Sequence, residues 1–128
     1  REKDQAIKRN WDDERFFRNR GYAYFKKGEY ERAIKDLDKA IRRASDDAEA
    51  HAIRGNAYYQ KGEYEHAIED YTREIELVPE LAGAYYRRAC AYNEIGEHSR
   101  AREDWQHAVE LDPSGPDRAA ARQALEGL

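Results

Sequence analysis

The sequence contains no methionine, a single cysteine, three prolines and eight glycines among its 128 residues. Each scarcity excludes something. One cysteine, Cys90, cannot close an internal disulfide, which favours a reducing compartment such as the cytoplasm. Without methionine the sequence does not begin at a natural start, so it reads as a piece of a longer chain. The lack of a secretory signal therefore excludes little. No apolar run approaches the roughly 20 residues needed to cross a bilayer, so no membrane anchoring is expected from this segment. A surplus of positive charge is missing too. The formal net charge of −4 argues against general nucleic-acid binding, which normally needs a basic face.

What is abundant is charge of both signs. Charged residues make up 39% of the chain, against roughly a quarter in ordinary globular proteins. Such a composition suits a thin, elongated object better than a rounded domain with one deep core.

The second abundant feature is repetition. "GEYERAI" at Gly28 to Ile34 returns as "GEYEHAI" at Gly62 to Ile68 and, more loosely, as "GEHSRAR" at Gly96 to Arg102, each copy 34 residues after the last. The register is strict around these phrases. Gly21 and Gly55 are matched by Ala89; Tyr24, Tyr58 and Tyr92 align; so do Ala33, Ala67 and Ala101. Leu37, Tyr71 and Trp105 share one bulky position, and Ile41, Ile75 and Val109 another. A fixed period of 20 to 50 residues signals stacked units. Within each unit the apolar residues fall at helical spacing, with a glycine between two stripes as a helix stop. The spacing predicts helix pairs over 14–27 and 30–43, 48–61 and 64–77, and 82–95 and 98–111. Asp13 and Asp47 are candidate N-caps, and the small residues at 21, 55, 33 and 67 let paired backbones approach closely.

These residues resemble the tetratricopeptide repeat: a 34-residue helix–turn–helix period, Gly or Ala at the eighth position, Tyr at the eleventh, Ala at the twentieth, a bulky apolar residue at the twenty-fourth and proline near the end. The resemblance implies an all-α, right-handed superhelical solenoid of antiparallel helix pairs. The implied division is 14–47, 48–81 and 82–115 as three repeats. Residues 1–13, whose "AIKRNWDD" mirrors "AIRRASDD" at 40–47, are expected to be the end of a truncated preceding repeat. Residues 116–128, opened by Pro116, are expected to form a C-terminal capping helix.

Catalysis finds no support in the residues. His51, His66, His98 and His107 lack metal-ligand spacing, Cys90 lacks an orienting histidine, and the single glycines build no phosphate cradle. No cofactor or metal is implied. The many acidic residues read mostly as solvated helix faces making i, i+4 pairs, as in Glu65 with Glu69 near Lys61 and Arg73. A binding role fits better. The face opposite each packed stripe collects Arg15, Arg18, Asn19, Tyr22, Phe25 and Lys26; then Glu49, Ala52, Ile53, Asn56, Tyr59 and Gln60; then Gly83, Tyr86, Arg87, Cys90, Asn93 and Glu94. Stacked first helices would merge these into one concave groove. From this set Arg15, Arg18, Asn19, Tyr22, Lys26, Asn56, Tyr59, Tyr86, Arg87 and Asn93 are the candidate peptide contacts. Arg18 and Arg87 lead because guanidinium groups pair with carboxylates in two-pronged fashion. The expected partner is a protein or peptide with an extended, acidic or carboxylate-bearing segment. Repeats of this family that hold the C-terminal carboxylate of heat-shock chaperones use a clamp of basic and Asn residues. Arg18 and Arg87 match two of its places; Tyr22, Ile53 and Gly83 depart at the others, so the resemblance does not extend to that role. The alternative is self-association, with a homodimer through the N-terminal end near Trp11, Phe16 and Phe17.

Overall fold

The computed structural model describes residues 14–127, and among them every regular element is an α-helix. In chain order these are α1 Glu14–Lys26, α2 Tyr30–Arg43, α3 Ala48–Gln60, α4 Tyr64–Leu77, α5 Ala82–Glu94, α6 His98–Leu111 and α7 Pro116–Glu126. Six of them fall within a residue of the spans that periodicity predicts. The expectations for residues 1–13, including the cap at Asp13 and the role of Trp11, lie outside the described residues.

The stops between paired helices are backbone chemistry. Gly28, Gly62 and Gly96 have φ of 81°, 80° and 82°, a left-handed conformation that costs any side-chain-bearing residue. At Gly28 the conformation folds the chain back so that Glu29 N–H donates to Tyr24 O at 2.9 Å and Gly28 N–H to Phe25 O at 2.9 Å. That is a Schellman closure, and it recurs at Gly62 and Gly96 with Tyr58 and Tyr92 as the distant acceptors. A turn this short leaves the next helix no course except back along the first. Starts are less uniform. Asp47 caps α3 by accepting from Ala50 N–H at 3.1 Å, whereas α7 opens on Pro116, whose fixed φ suits a first turn.

Each helix packs on its sequence neighbours, α1 also reaches α3, and α5 also reaches α7. The result is a row of helix pairs, with the core split into clusters between layers. Ala33, Leu37, Ala40, Ala50 and Ile53 form one; Ala67, Tyr71 and Ala91 the next; Ala89, Ala101, Trp105, Ala108 and Ala121 the last, with Ala124 and Leu125 of α7 against it. The small residues act at the crossings as expected. A Cβ built on Gly21 would meet Leu37 Cγ at 2.9 Å, and one on Gly55 would meet Tyr71 Cε1 at 2.8 Å.

A polar ladder runs through this framework. Arg20, Arg54 and Arg88, spaced by the 34-residue period, each fork onto an aspartate sixteen residues on. Nε and Nη2 donate to Asp36 at 2.7 and 2.9 Å, to Asp70 at 2.9 and 2.8 Å, and to Asp104 at 2.7 and 2.8 Å. In two of the three the remaining nitrogen reaches the preceding pair: Arg54 Nη1 donates to Asp38 at 2.8 Å, and Arg88 Nη1 to Thr72 Oγ1 at 3.2 Å. The aspartates are buried, so paired, hydrogen-bonded partners are what make their charge tolerable. This corrects the reading of the acidic residues as solvated faces for Asp36, Asp70 and Asp104, whereas Glu65 and Glu69 are exposed. Lys61 pairs with Glu31 and Glu63, Glu69 with His66, and Arg73 with Glu76, rather than with one another as a local cluster. His51 is buried between Asp70 and the Ser45 carbonyl, a structural position.

Candidate functional site

Four of the predicted contacts converge. Asn56 and Tyr59 from α3 and Tyr86 and Arg87 from α5 line a pocket of ≈ 320 Å³, completed by Phe25 from α1, Gln60, Tyr71 from α4 and Cys90. The volume lies at the lower end of the roughly 300–1,000 Å³ common for ligand pockets. Its walls are aromatic because the bulky position of the second unit carries Tyr71, whose ring fills the core while its hydroxyl reaches the groove. There the Tyr71 hydroxyl donates to Asn56 Oδ1 at 2.6 Å. The oxygen of the amide is thereby engaged, and its donor end is what Asn56 has left to offer a ligand. Tyr71 was placed by periodicity in the core alone; a tyrosine where the neighbouring units have Leu37 and Trp105 was the signal that one end of the ring meets something polar.

Arg87 enters the pocket already partnered. Its Nη2 donates to both carboxylate oxygens of Glu74 at 3.0 Å. Glu74 is buried, and burial pushes its carboxyl pKa up, against the opposing pull of the Arg87 charge. Burial also raises Tyr59 up to about 12, and Tyr71 and the Cys90 thiol above their ordinary values. A thiol held protonated in this way is a poor nucleophile, in keeping with Cys90 as a lining residue. The pocket is therefore close to electroneutral.

The other predicted contacts lie elsewhere. Arg18 reaches across from α1 to Asp47 at 3.1 Å and Glu49 at 3.7 Å, bracing the start of α3. Arg15, Asn19 and Tyr22 are exposed on α1, and Lys26 sits over the Tyr22 ring at 5.9 Å. Asn93 Oδ1 is 2.7 Å from His98 Nδ1, tying the end of α5 to the start of α6. Ile53, assigned to the groove by register, is 6% exposed and packs with Leu37 and Ala50 in the core. The formal positive excess along the strip also shrinks, because Asp47 and Glu74 stand against Arg18 and Arg87. At the N-terminal end, Phe17 packs into the first cluster under Lys39 and Arg43, whose charges lie 5.2 and 4.8 Å from its ring centre.

Paired helices of fixed length, glycine-closed and stacked with their first helices side by side, define a helical-hairpin repeat solenoid. Models of the tetratricopeptide repeat match residues 4–48, 18–82 and 82–114. The chain belongs to the tetratricopeptide repeat family. Comparison with curated proteins gives no match. Among solved structures, it is similar to the TPR2B domain of yeast Sti1 in complex with pHsp70, at 27% identity over 89% of this chain and 94% of that one, with a TM-score of 0.84. It is similar to the second TPR of Spaghetti (RPAP3) bound to the HSP90 peptide SRMEEVD, at 30% identity over 83% of this chain and 98% of that one, with a TM-score of 0.75. A crystal structure of MamA is 28% identical over 86% of this chain and 64% of that one, with a TM-score of 0.79. Among the described residues no helix is long and apolar enough to cross a membrane.

Proposed function

We propose that this chain is a non-catalytic protein-interaction module that holds an extended segment of a partner protein along the face formed by α1, α3 and α5. The observation that carries the reading is the pocket shared by three successive first helices, where Phe25, Tyr59 and Tyr86 meet. One helix pair could not build it. Two of the similar structures hold chaperone ligands, and the HSP90 peptide SRMEEVD is acidic at its C-terminal end. An acidic or carboxylate-bearing segment is the chemistry we favour here as well, with Arg15 and Lys26 as the basic contacts at the exposed α1 end. Because Tyr22, Ile53 and Gly83 stand where a chaperone carboxylate clamp has its polar residues, we assign a different acidic sequence.

Selection of random peptides displayed on phage, followed by NMR mapping of synthetic copies on the isotope-labelled chain, tests this. Shifts concentrated on α1, α3 and α5, with affinity that weakens as added salt screens the charges, are expected. Failure to enrich any peptide, or shifts confined to α2, α4 and α6, would overturn the reading.

A further inference from the structure

The charge and the cavity of this face do not coincide. Exposed cations lie at the α1 end, on Arg15 and Lys26, whereas the pocket is walled by the rings of Phe25, Tyr59, Tyr71 and Tyr86 and the Cys90 thiol. Its one charged lining residue, Arg87, has Glu74 behind it at 3.0 Å from both carboxylate oxygens. A carboxylate entering the pocket would meet a guanidinium whose charge that buried glutamate already pairs through Nη2, leaving it only the other N–H groups. It would shed its water among rings that return little for a negative charge, and a desolvated anion without full pairing is costly. A cation finds no unpaired carboxylate there, because Glu74 already holds Arg87 at 3.0 Å, and the Arg87 guanidinium already lies over the Tyr71 ring, 5.7 Å from its centre.

We infer that this pocket takes one large uncharged side chain of the partner segment, aromatic or long aliphatic, as its anchor. The inference rests on the reading that a partner segment lies along this face, and it divides the labour there. Asn56 and Gln60 at the edge supply amide groups for the segment's backbone, the rings bury its anchor, and the basic α1 end meets its acidic residues. The groove thus selects an apolar residue flanked by acidic ones rather than a run of carboxylates. Titration keeps the pocket in this state through neutral pH, since burial holds the Tyr59 and Tyr71 hydroxyls and the Cys90 thiol protonated.

The test uses two blocked amino acids as probes, N-acetyl-phenylalanine amide and N-acetyl-aspartate amide, titrated into the full chain and followed by NMR. The phenylalanine probe should shift Tyr59, Tyr86 and Cys90 and bind on the order of tenfold more tightly than the aspartate probe. Gln60→Trp at the exposed rim and Cys90→Phe in the wall should each remove that binding; because Gln60 is exposed, its variant serves where the wall variant fails to fold. Equal binding of both probes, preference for aspartate, or binding that survives both variants would overturn the inference. The phage selection separates the two levels. Peptides that map to α1, α3 and α5 without a shared large apolar residue would sink the anchor and leave the binding reading standing. A probe that seats as expected while no peptide maps to this face would sink the reading instead.

Discussion

Arg20, Arg54 and Arg88 occupy one position in three successive helix pairs and do the same thing there, while Asn19, Ile53 and Arg87, each a single residue earlier, do three different things. The arginines of the first set all fork onto a buried aspartate across their own pair. In the second set Asn19 is exposed, Ile53 is core, and Arg87 is an ion-paired wall of the pocket. The same contrast runs along the rest of each first helix. Tyr22, Asn56 and Cys90 share a register, but Tyr22 is 47% exposed while the other two line the pocket. The framework side is constrained by the neighbour it must fit. The groove side is released from that constraint, and its chemistry is where this chain differs from another built on the same period.

The comparison can be broken first at Arg54. Its side chain is 21% exposed and holds both Asp70 and Asp38, so Arg54→Ala should cost about 3–5 kcal/mol by taking the guanidinium from the buried Asp70 carboxylate and leaving it His51 at 3.2 Å. Urea denaturation measures it. Arg20→Ala should cost clearly less, because its side chain is 44% exposed and water can reach Asp36's partner site. Equal losses would mean that burial does not set the strength of the ladder.

On the variable side the register position itself can be tested. Ile53→Ala should lose about 2–5 kcal/mol as a core truncation, whereas Asn19→Ala, in the same place of the first pair, should stay within about 0.5 kcal/mol. The smaller framework test is Gly55→Ala. With Tyr71 carbons at 2.8 and 3.0 Å from the added Cβ, overpacking should cost about 1–3 kcal/mol in thermal unfolding. The third pair already carries Ala89 at that position and faces Trp105.

The smallest effect concerns Tyr59. Burial, with minor help from nearby acidic groups, moves its hydroxyl from the ordinary 10.0 up to about 12. The folded state therefore holds this proton where the unfolded chain has released it. The resulting stability is complete below pH 10 and is lost as pH rises through about 12. Tyr59→Phe should flatten the stability–pH curve in that window, and a slope unchanged by the substitution would separate Tyr59 from it.

The legible and illegible parts of the sequence divide along the same line. Helix spans and stops were readable because Gly28, Gly62 and Gly96 interrupt a 3.6-residue pattern at equal intervals. Close crossings were readable because Gly21 and Gly55 align with small residues. The ladder was present as a period in Arg20, Arg54 and Arg88, but a charged helix position reads as solvated until the partner helix supplies a carboxylate opposite it. The groove was readable as a face, which put Asn56, Tyr59, Tyr86 and Arg87 correctly together. Register could not give depth. Asn19 and Ile53 lie at one helical angle, and the layer of Leu37 and Ala50 beside Ile53 decides which is covered. Nor could a tally of the strip see Glu74, which belongs to α4 and cancels Arg87 from behind.

The third nitrogen of Arg54 and of Arg88 has a consequence for how such an array can lengthen. Each newly added hairpin brings its own peg, and the socket must already exist on the hairpin before it, as Asp38 or Thr72. Asp38 offers a charged socket and Thr72 a neutral one, so the two joints are not equivalent fasteners. Duplicating a hairpin in tandem copies peg and socket together, whereas swapping hairpins between positions would exchange a charged joint for a neutral one while the arginine peg stays the same.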